Sequence, residues 1–209
     1  MFSAPGSLVA IFVSLIGGYL LGSIPFGVIA TRLGGAGDIR EIGSGNIGAT
    51  NVLRTGRRDL ALITLVGDAG KGAAAVLLAG WVFSPTAAVL AGGAAFLGHL
   101  FPAWLRLRGG KGVAIFFGIL LAVAWPVGIA SALIWMGVAA VFRFSSLAAL
   151  AAAALAPVLF IVLHQATEAR LWLAVGMALL IFVRHHENIR RLLTGVEPRL
   201  GGGKSRPAA

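Results

Sequence analysis

Along this chain of 209 residues, apolar runs long enough to cross a membrane alternate with short segments rich in Gly, Arg and Lys. A helix needs about 20 apolar residues to cross ~30 Å of hydrocarbon. The first candidate runs from Ser7 to Arg32. The second, Leu60 to Leu105, is broken by Ser84-Pro85 and provides two crossings joined at the proline. The third, Val113 to Phe142, is interrupted at Trp125-Pro126, and the fourth, Leu147 to Val183, at His164-Gln165-Ala166-Thr167-Glu168. Lys111 and Arg143 flank the third run. Basic residues favour the cytoplasmic side, so both ends belong there, which a hairpin of two short helices satisfies and a single crossing does not. The pattern predicts an all-α integral membrane protein with seven transmembrane helices, some of them short. It forms a single domain over residues 1–209, with 199–209 as a flexible tail.

Charge sets the expected orientation. Of the 17 Lys and Arg, fifteen fall in the connections after the first, third and fifth crossings and in the C-terminal tail; the others are Lys71, inside a run, and Arg170. This bias predicts an N-terminus outside and a C-terminus in the cytoplasm. Residues 1–31 lack Lys and Arg, so the first run has no basic n-region and reads as a retained helix, not a signal peptide. Only 11% of residues are charged, against about 25% in soluble domains, so a net charge of +10 has no soluble basic face on which to bind nucleic acid. The absence of cysteine excludes disulfides and thiolate chemistry. The histidines form no metal-binding pattern, so no metal is expected. No internal repeat is evident, which weakens an inverted-repeat transporter.

Candidate chemistry sits in the basic connections. The segment 34–58, GGAGDIREIGSGNIGATNVLRTGRR, mixes glycines such as Gly45 with Ser44, Asn46, Thr50, Asn51, Arg40 and Arg54. Glycine lets backbone amides close on an anion together, and arginine grips phosphate through two parallel bonds. The competing reading is a flexible connector. In LRLRGGKGV, residues 105–113, Gly109, Gly110 and Gly112 surround Lys111 at a helix start. That is a natural anion site, or else a basic loop that only fixes topology. Its spacing is not that of a P-loop. Asp68 and Lys71 lie one turn apart inside a span, where charges are either functional or a self-neutralising pair. His99, near the inner end of its helix, has a packing reading beside its candidacy as a substrate contact. Arg184-His185-His186-Glu187-Asn188 ends the last span. There His185 is a candidate general base, or part of a basic helix end favoured by the helix dipole. Together these features imply a protein that handles phosphorylated substrates and leave the reaction open. A transporter of a phosphorylated metabolite, a metal-dependent lipid phosphotransferase and a structural adaptor are the rivals.

The motifs Gly22-Ser23-Ile24-Pro25-Phe26-Gly27, GSGNIGATNVLR (43–54), Asp68-Ala69-Gly70-Lys71-Gly72, Gly98-His99-Leu100-Phe101-Pro102, GGKGVA (109–114) and Arg184-His185-His186-Glu187-Asn188-Ile189 occur in order along the chain. In this they resemble the bacterial acyl-phosphate:glycerol-3-phosphate acyltransferase family. Ile115 departs from the Thr that often follows GGKGVA there. The resemblance implies a seven-helix, N-out fold in the bacterial inner membrane, with the active site facing the cytoplasm. It implies acyl transfer from acyl phosphate to the 1-hydroxyl of glycerol 3-phosphate, giving lysophosphatidic acid and phosphate. The implied partners are glycerol 3-phosphate, a long-chain acyl phosphate and membrane lipids, with no cofactor, nucleic acid or obligate protein partner. By position, Ser44 and His185 match residues at the family's reaction centre, and Ser23, Arg54, Lys111, Ser146, Glu187 and Asn188 match residues around its substrates.

Overall fold

A computed structural model describes residues 7–201. Among the described residues the fold is helical: α1 (Leu8–Gly22), α2 (Phe26–Leu33), α3 (Ala49–Val52), α4 (Arg58–Val82), α5 (Pro85–Leu100), α6 (Val113–Val123), α7 (Trp125–Phe142), α8 (Ser145–Val162), α9 (Glu168–Arg184) and α10 (His186–Leu193), with 3-10 turns in the connections. Large apolar side chains such as Phe12, Ile16, Leu62, Val66, Leu133, Ile161 and Leu179 point outward, whereas alanine dominates the interior. That inversion suits a helix bundle in lipid, where small residues allow backbones to approach. Gly18 and Gly22 of α1 meet Ala91 and Ala95 of α5 so closely that an added Cβ would strike the α5 backbone.

Five segments are long and apolar enough to cross a membrane: Leu8–Leu33, Arg58–Val82, Pro85–Leu105, Trp125–Phe142 and Ser145–Val162. The helix α9 has 17 residues and α6 only 11, a rise of about 16 Å at ~1.5 Å per residue. Trp81, Trp125 and Trp172 are exposed near the ends of α4, α7 and α9 that lie away from the basic connections, as aromatic residues at a membrane rim do.

The structure departs from the sequence reading in one place and sharpens it in two more. The first apolar run is two helices, α1 and α2, broken at Ser23-Ile24-Pro25. Pro25 has no N–H to continue the ladder and disfavours helical geometry at Ile24. The Ile24 carbonyl instead accepts a hydrogen bond from Lys71 Nζ at 2.7 Å. Second, the segment 34–58 is a folded cap, not a flexible connector. Ile39, Ile47 and Val52 are buried with Val28, Leu60 and Ala61 in a small core of their own. Third, the last span ends at Arg184. His185 caps it, and α10 turns away with Ile189 and Leu192 against the main core. In the terminal segment, Arg199 stacks its guanidinium 5.6 Å from the Phe144 ring, and Leu200 pairs with Arg143. Residues 202–209, with Lys204, Arg206 and the rest of the expected flexible tail, lie outside the described residues.

The four basic connections meet on one face. Thr50 Oγ1 lies 3.4 Å from Ser145 Oγ at the start of α8. Arg184 donates to the carbonyls of Gly110 and Gly109 at 3.2 and 2.9 Å. Leu200 N–H donates to Arg143 O at 2.6 Å.

Candidate active site

The centre of this face is Lys111. Gly112, at φ +86°, turns the chain into α6 where a side chain would be strained. Gly110 has no Cβ because the His99 imidazole occupies that space, and its N–H donates to His99 O. Arg184 holds the same turn from the other side through two carbonyls. So fixed, Lys111 Nζ donates to Asn188 Oδ1 on α10. The other end of that amide, Nδ2, donates to Glu197 Oε1 at 2.6 Å. Ser146 Oγ donates to the same oxygen at 2.6 Å, and Arg191 Nε to Glu197 Oε2 at 2.7 Å. Side chains from α8 and α10 thus hold one carboxylate, and Lys111 is joined to it through Asn188.

The electrostatics favour an anion. Burial pushes the Lys111 ammonium down, and repulsion from Arg191 and Arg54 adds to this against the opposing pull of Glu197 and Glu187. Burial alone would raise the Glu197 carboxyl, but the hydrogen bonds from Ser146, Asn188 and Arg191 outweigh it and keep the group below its ordinary value. His185 is buried beside them. Burial pushes its imidazole down to about 4, against the raising effect of the Ile181 carbonyl, and the Lys111 cation acts in the same direction as burial. Its Nδ1 lies 2.8 Å from Ile181 O. Donation there uses the Nδ1 proton and leaves Nε2 with a free lone pair, the form a general base needs.

The first connection forms the other wall. Asn51 is its clasp. Its Nδ2 donates to the carbonyls of Ile39, Ile42 and Asn46 at 3.2, 2.8 and 2.9 Å, and its Oδ1 accepts from Ser44 N at 3.0 Å. The amide is fully engaged, so Asn51 shapes the loop and has no donor left for substrate. Asn46 closes a tight turn by accepting from Gly48 N, and Gly43 and Gly45 take positive φ. The result leaves Ser44, Thr50 and Arg54 exposed on the loop surface.

The structure brings His185, Lys111, Ser146 and Asn188 together around Gly109, Gly110 and Gly112, with Ser44, Thr50 and Arg54 on the facing loop. It does not bring in the others. Arg40 is taken by Asp38, which accepts from its Nε and Nη2 at 2.9 and 2.5 Å and also from Arg32. Gly45 lines a separate polar cleft of about 580 Å³ with Arg40, Trp104 and Arg108. Glu187 stands on the exposed side of α10, 3.9 Å from Arg191. Lys71 and His99 face Asp68 in the helix interior, at 2.6 and 3.5 Å, and Ser23 is buried at the break between α1 and α2. The contacts of Lys71 and His99 brace the bundle, whereas Ser23 Oγ has no hydrogen-bond partner among the described residues. Glu197, Arg191 and Arg184 were missed as site residues. Arg184 opened the terminal motif without a role of its own, Arg191 followed that motif among the basic residues of the tail, and Glu197 had no motif around it.

The family profile described as glycerol-3-phosphate acyltransferase matches residues 12–195. The chain belongs to the glycerol-3-phosphate acyltransferase family. A family member from Caulobacter vibrioides is 62% identical over 198 residues, 94% of this chain and 89% of that protein. One from Cereibacter sphaeroides is 58% identical over 194 residues, 93% and 91% of the two chains. The fold is similar to a crystal structure of PlsY, an integral membrane glycerol 3-phosphate acyltransferase, in its glycerol 3-phosphate form. The TM-score is 0.86 at 38% identity, over 91% of this chain and 96% of that one. The lysophosphatidic acid form of PlsY gives a TM-score of 0.84 at 37% identity, covering 91% and 95%. The protein is an integral membrane acyltransferase.

The low His185 value has a consequence for stability. The unfolded imidazole takes up its proton near 6.5, whereas the folded one resists until about 4. Between these values the unfolded state binds more protons, so stability falls as pH drops through this window and changes no further from this source below it. Thermal unfolding of the reconstituted protein from pH 7.5 to 4.5 is expected to show this slope, and His185→Asn to flatten it. An equal slope in both would place His185 in contact with solvent.

Proposed function

We propose that this protein transfers the acyl group of a long-chain acyl phosphate to the 1-hydroxyl of glycerol 3-phosphate, releasing lysophosphatidic acid and inorganic phosphate. The observation that carries this reading is the convergence of Lys111, Asn188, Ser146, Arg191 and neutral His185 from separate elements on one membrane face. Two phosphate-bearing substrates repel one another, and fixed cations, hydroxyls and amides offset that repulsion and the charge that develops at the carbonyl. An acyl phosphate is already activated, so positioning the hydroxyl for attack supplies much of the rate. The hydroxyl oxygen attacks the acyl carbon, the bond from that carbon to the phosphate oxygen breaks, and the phosphate leaves. The hydroxyl proton passes to His185 Nε2 or to the departing phosphate. Ser44 serves as a hydrogen-bond donor, with Arg54 beside it on the same loop.

An apolar groove of about 390 Å³ supports the acyl part of this reading. It is lined by Leu147, Leu150 and Ala154 of α8, Phe182 of α9, and Ile189 and Leu192 of α10. The groove borders Ser146 and Asn188 through the helices it shares with them, so a hydrocarbon tail can lie there with its head among the donors. In the same reading α6 and α9 complete seven crossings, with α6 lengthened by local bilayer thinning. The basic face, with the active site and the C-terminus, then lies in the cytoplasm at the bacterial inner membrane, and the N-terminus outside.

The test supplies palmitoyl phosphate and glycerol 3-phosphate to purified protein in lipid and follows phosphate and lysophosphatidic acid together. The two are expected in equal amounts. Phosphate without lipid would mean hydrolysis and remove the acceptor assignment. Uptake of labelled glycerol 3-phosphate into liposomes with neither product would favour a transporter.

A further inference from the structure

Two groups assigned above to phosphate binding, Ser146 Oγ and Asn188 Nδ2, are already occupied. Both donate to Glu197 Oε1 at 2.6 Å, while Arg191 Nε donates to Oε2 at 2.7 Å. Glu197 reaches this position because the chain reverses after α10. Gly195, at φ +74°, donates to Leu192 O, and Val196 N–H donates to Arg191 O. Past Glu197 the segment is tied down again. Arg199 lies over the Phe144 ring, Leu200 N–H donates to Arg143 O at 2.6 Å, and Arg143 Nη2 donates back to Leu200 O at 3.0 Å. The side chain of Glu197 is only 6% exposed, at the end of a segment that carries no helix.

Desolvated cations are costly without an anion. Arg191 and Lys111 meet here, with Arg54 close enough to repel Lys111. The protein's own carboxylate meets that need. A phosphate monoester carries nearly twice its charge and has three strong acceptor oxygens, so it satisfies the same donors more completely.

We propose that Glu197 is a built-in competitor for substrate: residues 195–200 form a strap that seats a carboxylate in the anion cradle of the free enzyme, and a phosphate group must displace it to bind. The proposal rests on the assignment of that cradle to a substrate phosphate. A protein whose competent state is only fractionally populated shows an affinity reduced by that fraction. A strap seated in about nine of ten molecules weakens phosphate binding about tenfold.

The probe is inorganic phosphate, titrated calorimetrically into the full-length protein in lipid nanodiscs. Glu197→Ala is expected to lower the Kd for phosphate about tenfold, and the KM for glycerol 3-phosphate by a similar factor. An unchanged or raised Kd in a folded Glu197→Ala protein would show that the carboxylate positions Asn188 and Ser146 instead of competing, and would overturn the proposal. If that variant does not fold, the strap is locked instead. The chain has no cysteine, so an Arg143→Cys, Leu200→Cys pair can be crosslinked without side reactions. The crosslinked protein is expected to lose phosphate binding and to regain it on reduction, and binding undiminished by the crosslink would overturn the proposal. The binding readout is independent of acyl transfer. Tighter phosphate binding without lipid formation from palmitoyl phosphate would retain the strap and remove the acyl-phosphate donor assignment, and the reverse result would remove only the strap.

Discussion

Lys111→Ala is expected to lower kcat/KM by about 10²–10³-fold with the fold intact, the loss typical of removing one donor to a developing oxyanion. In the free protein the Lys111 ammonium has one polar partner, the Asn188 amide, and it is repelled by Arg191 and Arg54. Its charge therefore contributes little to folding, and its removal relieves as much repulsion as it forfeits attraction. The lost hydrogen bond costs about 1 kcal/mol at most. What is lost on binding is larger, because the ammonium is partly desolvated and fixed by Gly110 against His99 and by Arg184 on the loop carbonyls. Lys111→Arg keeps the charge but replaces a compact ammonium by a planar fork, so partial recovery is expected. Steady-state release of phosphate and lipid by both variants, beside their thermal unfolding, separates the two effects. A Lys111→Ala protein with unaltered kcat/KM would move the anion site to Arg54 and the facing loop.

Much of this arrangement was legible in the sequence, for identifiable reasons. The helix breaks at Ser84-Pro85, Trp125-Pro126 and the polar run from His164 to Glu168 are local signals, and they separate α4 from α5, α6 from α7 and α8 from α9. GGKG before an apolar run marks a turn into a helix, and α6 starts at Val113. The break inside the first run also had its proline, but Ile24 and Phe26 continue the apolar pattern and hid it. What the sequence could not disclose was the use of each polar group. Asn51 and Ser44 read alike as donors, yet Asn51 spends both ends on the loop backbone while the Ser44 side chain is exposed. Arg40 and Arg54 also read alike, and only the fold shows Asp38 gripping the first. Glu197 enters the cradle through a long-range contact with α8, and no spacing rule reaches from Ser146 to residue 197.

Asp68→Ala is expected to produce the largest loss of stability, about 3–5 kcal/mol, because it leaves a buried ammonium without its counter-charge. Asp68 and Lys71 are 1% and 5% exposed. The carboxylate accepts from Lys71 at 2.6 Å and lies 3.5 Å from His99 Nδ1. Lys71 also donates to Ile24 O at the break between α1 and α2, so the pair ties α4 to the interrupted helix and, through His99, to the turn that carries Lys111. Replacing a whole buried pair by apolar residues of similar volume is far less costly than removing one partner. Asp68→Leu with Lys71→Met is therefore expected to recover most of the loss, short of about 1 kcal/mol for the hydrogen bond from Lys71 to Ile24 O, a carbonyl that still accepts from Phe26 N–H. Thermal unfolding in detergent or bilayer should then rank wild type first, the double variant second and Asp68→Ala last. A double variant no more stable than Asp68→Ala would show that the two charges are not coupled. If the pair is only a brace, the folded double variant keeps the KM for glycerol 3-phosphate within a few fold. A stable double variant that has lost substrate binding would return Lys71 to the list of substrate contacts and require α1 and α2 to open at Ile24 when the ligand arrives.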